Sequence, residues 1–278
     1  MVLQLPSTPG PQHAASILAV MLLVSAGRCE APSAQAGDVT FEDTFDGPAG
    51  ASPDAAAWAF DIGGDGFGNE QLEYNTDRPQ NASLDGDGHL VITARREDFD
   101  GNSYTSARLT TTSIFAQAYG RFEARIKVPT GQGIWPAFWL LGDNIETVTW
   151  PACGEIDILE LRGQQPDVVY GSLHGPGYSG AGAINQSFTL PAGQTFADDF
   201  HVFAVEWEPE RIRFFVDDSL YQTVTPATLG SREWVFDHPF RIIINLAVGG
   251  NFVGSPDATT VFPASLVVDA VRVTAGSP

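Results

Sequence analysis

The chain has 278 residues, 43% of them hydrophobic, with 34 acidic residues against 14 basic ones and a formal net charge of -20. That balance excludes a nucleic-acid partner, because phosphate backbones are held by Lys and Arg, and Lys127 is the single lysine. It also disfavours a polyanionic substrate and fits a neutral polymer, solubility being the plain alternative account.

Residues 14–24 form an apolar run of secretory-signal length, too short to span a bilayer comfortably. Ala34-Gln35-Ala36 offers a small-x-small cleavage site, although no Lys or Arg precedes Arg28. Residues 1–36 are therefore expected to be a signal peptide and residues 37–278 a single domain, secreted and free of the membrane. Cleavage would remove Cys29 and leave Cys153 alone, with no internal disulfide; Cys153 reads as a small buried apolar residue. The remaining length suits one all-β domain with its own core. No linker, repeat or second compositional zone is visible, so no appended binding module is expected.

Asp61-Ile62-Gly63-Gly64-Asp65-Gly66-Phe67-Gly68-Asn69 is Gly-rich but lacks a phosphate-loop pattern; on its own it reads as a flexible surface loop. Strand signals then recur. In Gly120–Val128 the residues Phe122, Ala124, Ile126 and Val128 share one face, as period two requires. Phe200–Trp207 and Arg211–Val216 read as neighbours across Glu208-Pro209-Glu210, and Asp217-Asp218 turns the chain toward Leu220–Val224. Phe240–Val248 is apolar on both faces, as a central strand should be, and Leu266–Val273 closes the chain. Nothing sustains helical periodicity, and many short strands between Gly-, Pro- and Asp-rich turns imply a β-sandwich. Asn81-Ala82-Ser83 and Asn185-Gln186-Ser187 fit the N-glycosylation pattern, a triplet common by chance. Scattered histidines and a lone cysteine do not suit zinc.

The most informative stretch is Gly154-Glu155-Ile156-Asp157-Ile158-Leu159-Glu160. Its apolar residues are strand formers, and on a strand Glu155 and Asp157 share a side. Glu160 lies an odd number of residues from Glu155, so a regular strand would point it away. A β-bulge between Asp157 and Glu160 returns all three acids to one face, and the doublet Ile158-Leu159 is what such a bulge would look like. Ionised carboxylates this close repel and raise one another's pKa, and Arg162 is the only base nearby. One reading is a solvated polar face or a cation site. The other is retaining glycoside hydrolysis, which needs two carboxyls about 5–5.5 Å apart as nucleophile and acid/base; the third can hold a proton and orient the nucleophile. Trp135, Trp139 and Trp150 upstream and His174 downstream favour the second, since Trp and His often contact sugars.

Trp135-Pro136-Ala137-Phe138-Trp139, the acidic stretch and Gly171-Ser172-Leu173-His174-Gly175-Pro176-Gly177-Tyr178 together resemble glycoside hydrolase family 16. The bulged E-x-D-x-x-E spacing is similar to the laminarinase branch, the endo-β-1,3-glucanases, and the likeness runs from about Phe41 to Val273. The resemblance implies an all-β, concanavalin-like jelly roll: two curved antiparallel sheets with a substrate cleft on the concave face. It implies one catalytic domain that hydrolyses β-1,3-glucan by double displacement, acts as a monomer and needs no cofactor for catalysis. Glu155 would be the nucleophile, Glu160 the acid/base and Asp157 their partner. Asn69, Arg108, Asn251 and Phe252 would join the tryptophans and His174 in binding sugar; Phe252 stands where family members often carry Trp. A lone Arg such as Arg108 is otherwise a surface residue, and His174 an ordinary strand-end histidine. The resemblance further implies a structural calcium at Thr44, Gly88 and Asp269, held mostly by backbone carbonyls, with oxygen ligands that suit that ion. A non-hydrolytic glucan-binding module and a transglycosylase on the same fold are the alternatives. The three acids argue against the first.

Overall fold

The computed structural model describes residues 37–276; the expected signal peptide lies outside them. In chain order the strands are β1 (Val39–Asp43), β2 (Ala59–Phe60), β3 (Glu73–Asn75), β4 (Ala82–Leu84), β5 (Leu90–Phe99), β6 (Asn102–Ser106), β7 (Arg108–Thr110), β8 (Gly120–Lys127) and β9 (Ile134–Gly142). They continue with β10 (Glu155–Leu161), β11 (Val168–His174), β12 (Ile184–Thr189), β13 (His201–Glu208), β14 (Arg211–Val216), β15 (Ser219–Val224), β16 (Phe240–Val248) and β17 (Ala264–Thr274). Helix among the described residues is confined to α1 (Pro226–Leu229) and a 3-10 turn at Gly180–Gly182. None is long and apolar enough to cross a membrane.

The strands make two sheets. One has ten strands, along β15-β14-β13-β8-β17-β5-β6-β3, with β1 on β17 and β4 on β5; the other has seven, in the order β12-β11-β10-β9-β16-β7-β2. The jelly-roll sandwich expected from the sequence is the fold. One detail differs from wholly antiparallel sheets: β3 runs parallel to β6. A parallel pair needs a crossover, and β4 with the long strand β5 provides it.

Alternation explains most of the core. On β8, Phe122, Ala124 and Ile126 are buried and the residues between them half-buried, so one face packs inward. Every residue of β16 is buried, for two different reasons. Phe240, Ile242, Ile244, Leu246 and Val248 enter the main core between the sheets. On the opposite face Ile243 packs with Leu141 and Cys153, and Ala247 with Trp135 and Val253. That second face is the floor of the cleft.

The same partition operates on β9 and β10. Ile134, Phe138 and Leu140 point into the core, leaving Trp135, Ala137, Trp139 and Leu141 to the cleft. On β10, Ile156, Ile158, Leu159 and Leu161 all join the core. Two consecutive core residues require a break in alternation. The register supplies it, shifting between Asp157 and Glu160 against β11 and between Asp157 and Leu159 against β9.

Candidate active site

The bulge sets Glu155, Asp157 and Glu160 on one wall-to-wall cleft of about 670 Å³ above the seven-stranded sheet. Gly154 leads into the strand with φ 74°, a left-handed conformation that glycine adopts without penalty. A Cβ there would stand 2.8 Å from the Phe240 ring. Across the bulge on β11, a Cβ on Gly171 would meet the Tyr221 hydroxyl at 2.3 Å. Glycine at 171 thus lets a tyrosine from the opposite sheet approach the underside of the acid-bearing strand.

The acids are held differently. Glu155 Oε2 accepts the indole N–H of Trp150 at 3.0 Å. Ser172 Oγ donates to Glu160 Oε2 at 3.4 Å. Asp157, only 4% exposed, sits in register with Ser172 on one side and Trp139 on the other. His174 Nε2 lies 3.0 Å from Asp157 Oδ2 and 3.7 Å from Glu155 Oε1. Its Nδ1 accepts the backbone N–H of Gly180 at 3.1 Å, which leaves the ring proton on Nε2, facing the acids.

Burial raises the pKa of all three acids, because charge is poorly solvated there. Glu155 is pushed up to about 8 by burial and then by Asp157, against the pull of His174, Trp150 and Arg108. Glu160 is pushed up to about 7 by burial, with Glu155 adding to the rise and His174 opposing it. Asp157 is raised well above its ordinary value, by burial and by the Glu160 charge, and its hydrogen bond with Glu155 works the other way. The three raised acids therefore share protons at neutral pH. A protonated Asp157 can donate to Glu155 and leave it as the anion, relieving the repulsion.

Asn69, Arg108, Trp135, Trp139, Trp150, His174, Asn251 and Phe252 all line this same cleft. Arg108, on β7, is nearly enclosed. Its Nε donates to Asp61 Oδ2 at 2.9 Å. Its guanidinium stands 4.7 Å from the Phe67 ring centroid and 4.7 Å from that of Trp139, a cation–π sandwich of about 1–2 kcal/mol per face where water is excluded. Trp139 gives its indole N–H to Asn245 Oδ1 at 2.8 Å. The Gly-rich loop therefore contributes two side chains, Asp61 and Phe67, that fix Arg108. These two, Tyr170 and Asn245 belong to no motif, and Ser172 falls within the Gly171–Tyr178 stretch without being singled out there; only their placement beside motif residues could have drawn attention to them.

The loop bearing Asn251 is fastened by backbone pairing. Gln71 bridges Gly249, and Asn251 N–H donates to the Asn69 carbonyl at 2.9 Å. Below it Glu73, fully buried, accepts the N–H of Val248 at 2.8 Å. Burial pushes Glu73 up to about 7, while the hydrogen bonds from Val248 and Asn75 and the charge of Arg108 oppose the rise.

Of the expected calcium positions, Asp269 lies on β17 of the ten-stranded sheet, Thr44 just after β1 and Gly88 in the bend between β4 and β5. A Cβ on Gly88 would stand 3.9 Å from the Thr44 carbonyl oxygen, so those two positions face each other. The Asp269 carboxylate forms an ion pair with Arg125 at 3.1 Å and lies 3.7 Å from His89 Nε2. Of the two glycosylation triplets, Asn81 is fully buried and bonded to Thr76, Thr93 and Thr105, so it cannot carry a glycan in the folded protein. Asn185 lines the cleft.

Comparison with known proteins agrees with this geometry. Residues 69–262 match the family model Glycosyl hydrolases family 16. A beta-glucanase of Rhodothermus marinus is 44% identical over 250 residues, covering 85% of this chain and 84% of that protein. Glucan endo-1,3-beta-glucosidase A1 of Niallia circulans is 36% identical over 90% of this chain, which spans only 39% of that longer protein. Among solved structures, the laminarinase catalytic domain of Thermotoga maritima superposes with a TM-score of 0.82 at 43% identity, covering 88% of this chain and 100% of that one. The chain belongs to glycosyl hydrolases family 16 and is a glycoside hydrolase.

Proposed function

We propose that the protein is a secreted, retaining endo-β-1,3-glucanase of the laminarinase kind, working as a monomer. The observation that carries the reading is the bulge in β10, which gathers Glu155, Asp157 and Glu160 on the cleft face. The names of the Niallia and Thermotoga relatives support the linkage. The apolar run at residues 14–24 supports secretion.

The chemistry follows from the placement. Glu155, ionised with Trp150 and Asp157 donating to it, attacks the anomeric carbon. The glycosidic C–O bond breaks as Glu160 delivers its proton to the departing oxygen. The glycosyl ester on Glu155 removes one negative charge from the cluster, so the pKa of Glu160 falls and it becomes a base. It takes a proton from water as the water oxygen attacks the anomeric carbon from the opposite side to the ester, and Glu155 leaves as a carboxylate. Two inversions give retention. Asp157, by hydrogen-bonding Glu155, tunes how readily it leaves.

The substrate reading is tested by reducing-sugar release from laminarin, curdlan, lichenan and agarose. Cleavage should be fastest on laminarin, weaker on the mixed-linkage glucan and absent on agarose, and Glu155→Ala should abolish it. Retained binding to laminarin with no cleavage by the wild type would favour a glucan-binding module. Products longer than the substrate would reveal transglycosylation.

We propose a structural calcium as well, held by the carbonyl oxygens of Thr44 and Gly88 and by Asp269. The facing of Thr44 and Gly88 supports it, and the oxygen donors suit the ion. A bound ion would share the Asp269 carboxylate with Arg125.

A further inference from the structure

One fully buried acid, Glu73 on β3, takes no part in the chemistry. Its two oxygens reach different parts of the molecule. Oε2 accepts the backbone N–H of Val248 at 2.8 Å, and Oε1 accepts Nδ2 of Asn75 at 3.3 Å. Val248 ends β16, and the chain runs from it directly into Gly249-Gly250-Asn251-Phe252, whose last two residues line the cleft. The N–H of Leu72 donates to the Val248 carbonyl at 2.8 Å, so two successive residues grip both polar groups of Val248. The loop beyond has no slack. A Cβ on Gly249 would stand 2.6 Å from the Leu72 side chain, and one on Gly250 would stand 2.9 Å from the Asn69 carbonyl and 3.3 Å from the Trp135 ring.

The surroundings of Glu73 call for a proton. Arg108 on β7 is the charged group that acts on it, and Arg108 Nε is already given to Asp61. Tyr104 is its register partner on β6, and β16 presents the Val248 N–H. Two further acceptors, Asn75 Oδ1 and Ser106 Oγ, are buried and unpartnered, and Asn75 stands opposite Ser106 in the same parallel register. A carboxylate gives these acceptors nothing. With a proton on Oε1, the Asn75 amide can turn over, accept from Glu73 through its oxygen and offer its NH2 toward the strand of Ser106. Buried polar groups are nearly always satisfied, so the cluster fits the neutral acid. Burial drives the same way, raising the pKa of Glu73 to about 7.

We propose that Glu73 is a positioning residue of the cleft: the neutral acid holds the Val248–Phe252 loop in its substrate-binding arrangement, and the anion releases it. Ionisation leaves a charge without an ion-pair partner in a dry enclosure. The readiest relief is local opening of the segment that shields it, the loop leaving Val248. Affinity for glucan is then lost as Glu73 ionises.

This inference rests on the glucanase reading, and its test separates the two. Steady-state kinetics on laminarin between pH 5 and 9 would compare wild type, Glu73→Gln and Glu73→Met. Glu155 and Glu160 contribute to every profile, so the ratio of the wild-type KM to that of Glu73→Gln isolates Glu73. Gln keeps an acceptor for Val248 and a donor for Asn75 without the charge. The ratio should be near one at pH 5.5, rise through pH 7 and reach roughly tenfold at pH 8, the factor by which the competent form is depleted, with a smaller change in kcat. Glu73→Met, which cannot accept from Val248, should raise KM at every pH. If that variant fails to fold, Glu73→Gln carries the test. Amide hydrogen exchange of residues 249–252, compared at matched pH, should be faster in the wild type than in Glu73→Gln at pH 8 and equal at pH 5.5. Cleavage by the wild type with a KM ratio flat in pH, or equal exchange at pH 8, overturns the inference alone. A wild type that leaves laminarin uncut at every pH overturns the glucanase reading, and this inference with it.

Discussion

The indole N–H of Trp150 donates to Oε2 of Glu155 at 3.0 Å, and the same indole stands 6.0 Å, centroid to centroid, from the His174 ring. A residue that the sequence offers as a sugar platform is thus also bonded to the proposed nucleophile. An N–H donated to a carboxylate favours its ionised form. Trp150→Phe removes the donor and keeps an aromatic ring, so the pKa of Glu155 should rise further above about 8. The acidic limb of the kcat/KM profile should move to higher pH, and activity at pH 6 should fall roughly tenfold, as for the loss of one charge-assisted hydrogen bond. An unmoved limb with a raised KM would reduce Trp150 to a sugar contact.

The division of labour between the glutamates is tested by rescue with azide. Glu160→Ala should lower turnover of laminarin by about 10²–10⁴-fold. On an activated aryl glycoside it should still form the ester, and azide should give a glycosyl azide of retained configuration. In Glu155→Ala, azide should enter the vacated face and give the inverted product. Opposite stereochemistry would exchange the two roles.

Glu73 should be a pH-dependent weakness of the fold. Its folded pKa of about 7 lies above the ordinary value of 4.5, so the folded state binds the extra proton and stability falls as pH rises from about 4.5 through 7. A rise of this size corresponds to roughly 3 kcal/mol lost at pH 8. Glu73→Gln keeps an acceptor for the Val248 N–H. The variant should melt above the wild type at pH 8 and show no advantage at pH 4.5. A difference independent of pH would mean that Glu73 stays neutral throughout.

Chelation should lower the melting temperature if calcium sits at Thr44, Gly88 and Asp269, because an ion bound only by the native state stabilises it by mass action. Asp269→Asn should abolish the effect. Identical melting curves of the wild type with and without chelator would refute the site.

Much of this architecture is legible in the sequence because it rests on period two. The alternation of Gly120–Val128 and the two-faced burial of Phe240–Val248 follow from residue types alone. So does the bulge, since three acids at odd spacing with two apolar neighbours between them admit few arrangements. What period two cannot reveal is contact between distant strands. Asp61 and Phe67 fix Arg108 from a loop that, read alone, is only Gly-rich. Asn81 looks like a glycan acceptor in its triplet, yet it is a buried hub because Thr76, Thr93 and Thr105 converge on it. The parallel placement of β3 depends on a crossover, which no local pattern encodes.

The bulge also determines which lengths of this strand are workable. Removing one residue between Asp157 and Glu160 would restore simple alternation, and the third acid would still face the cleft; the core would forfeit one apolar side chain. Removing one residue between Glu155 and Asp157 would reverse the facing of Glu155 relative to the other two. Insertions and deletions in this strand therefore have one permissive position, the doublet Ile158-Leu159, where the acid count per face is unchanged by a frame slip.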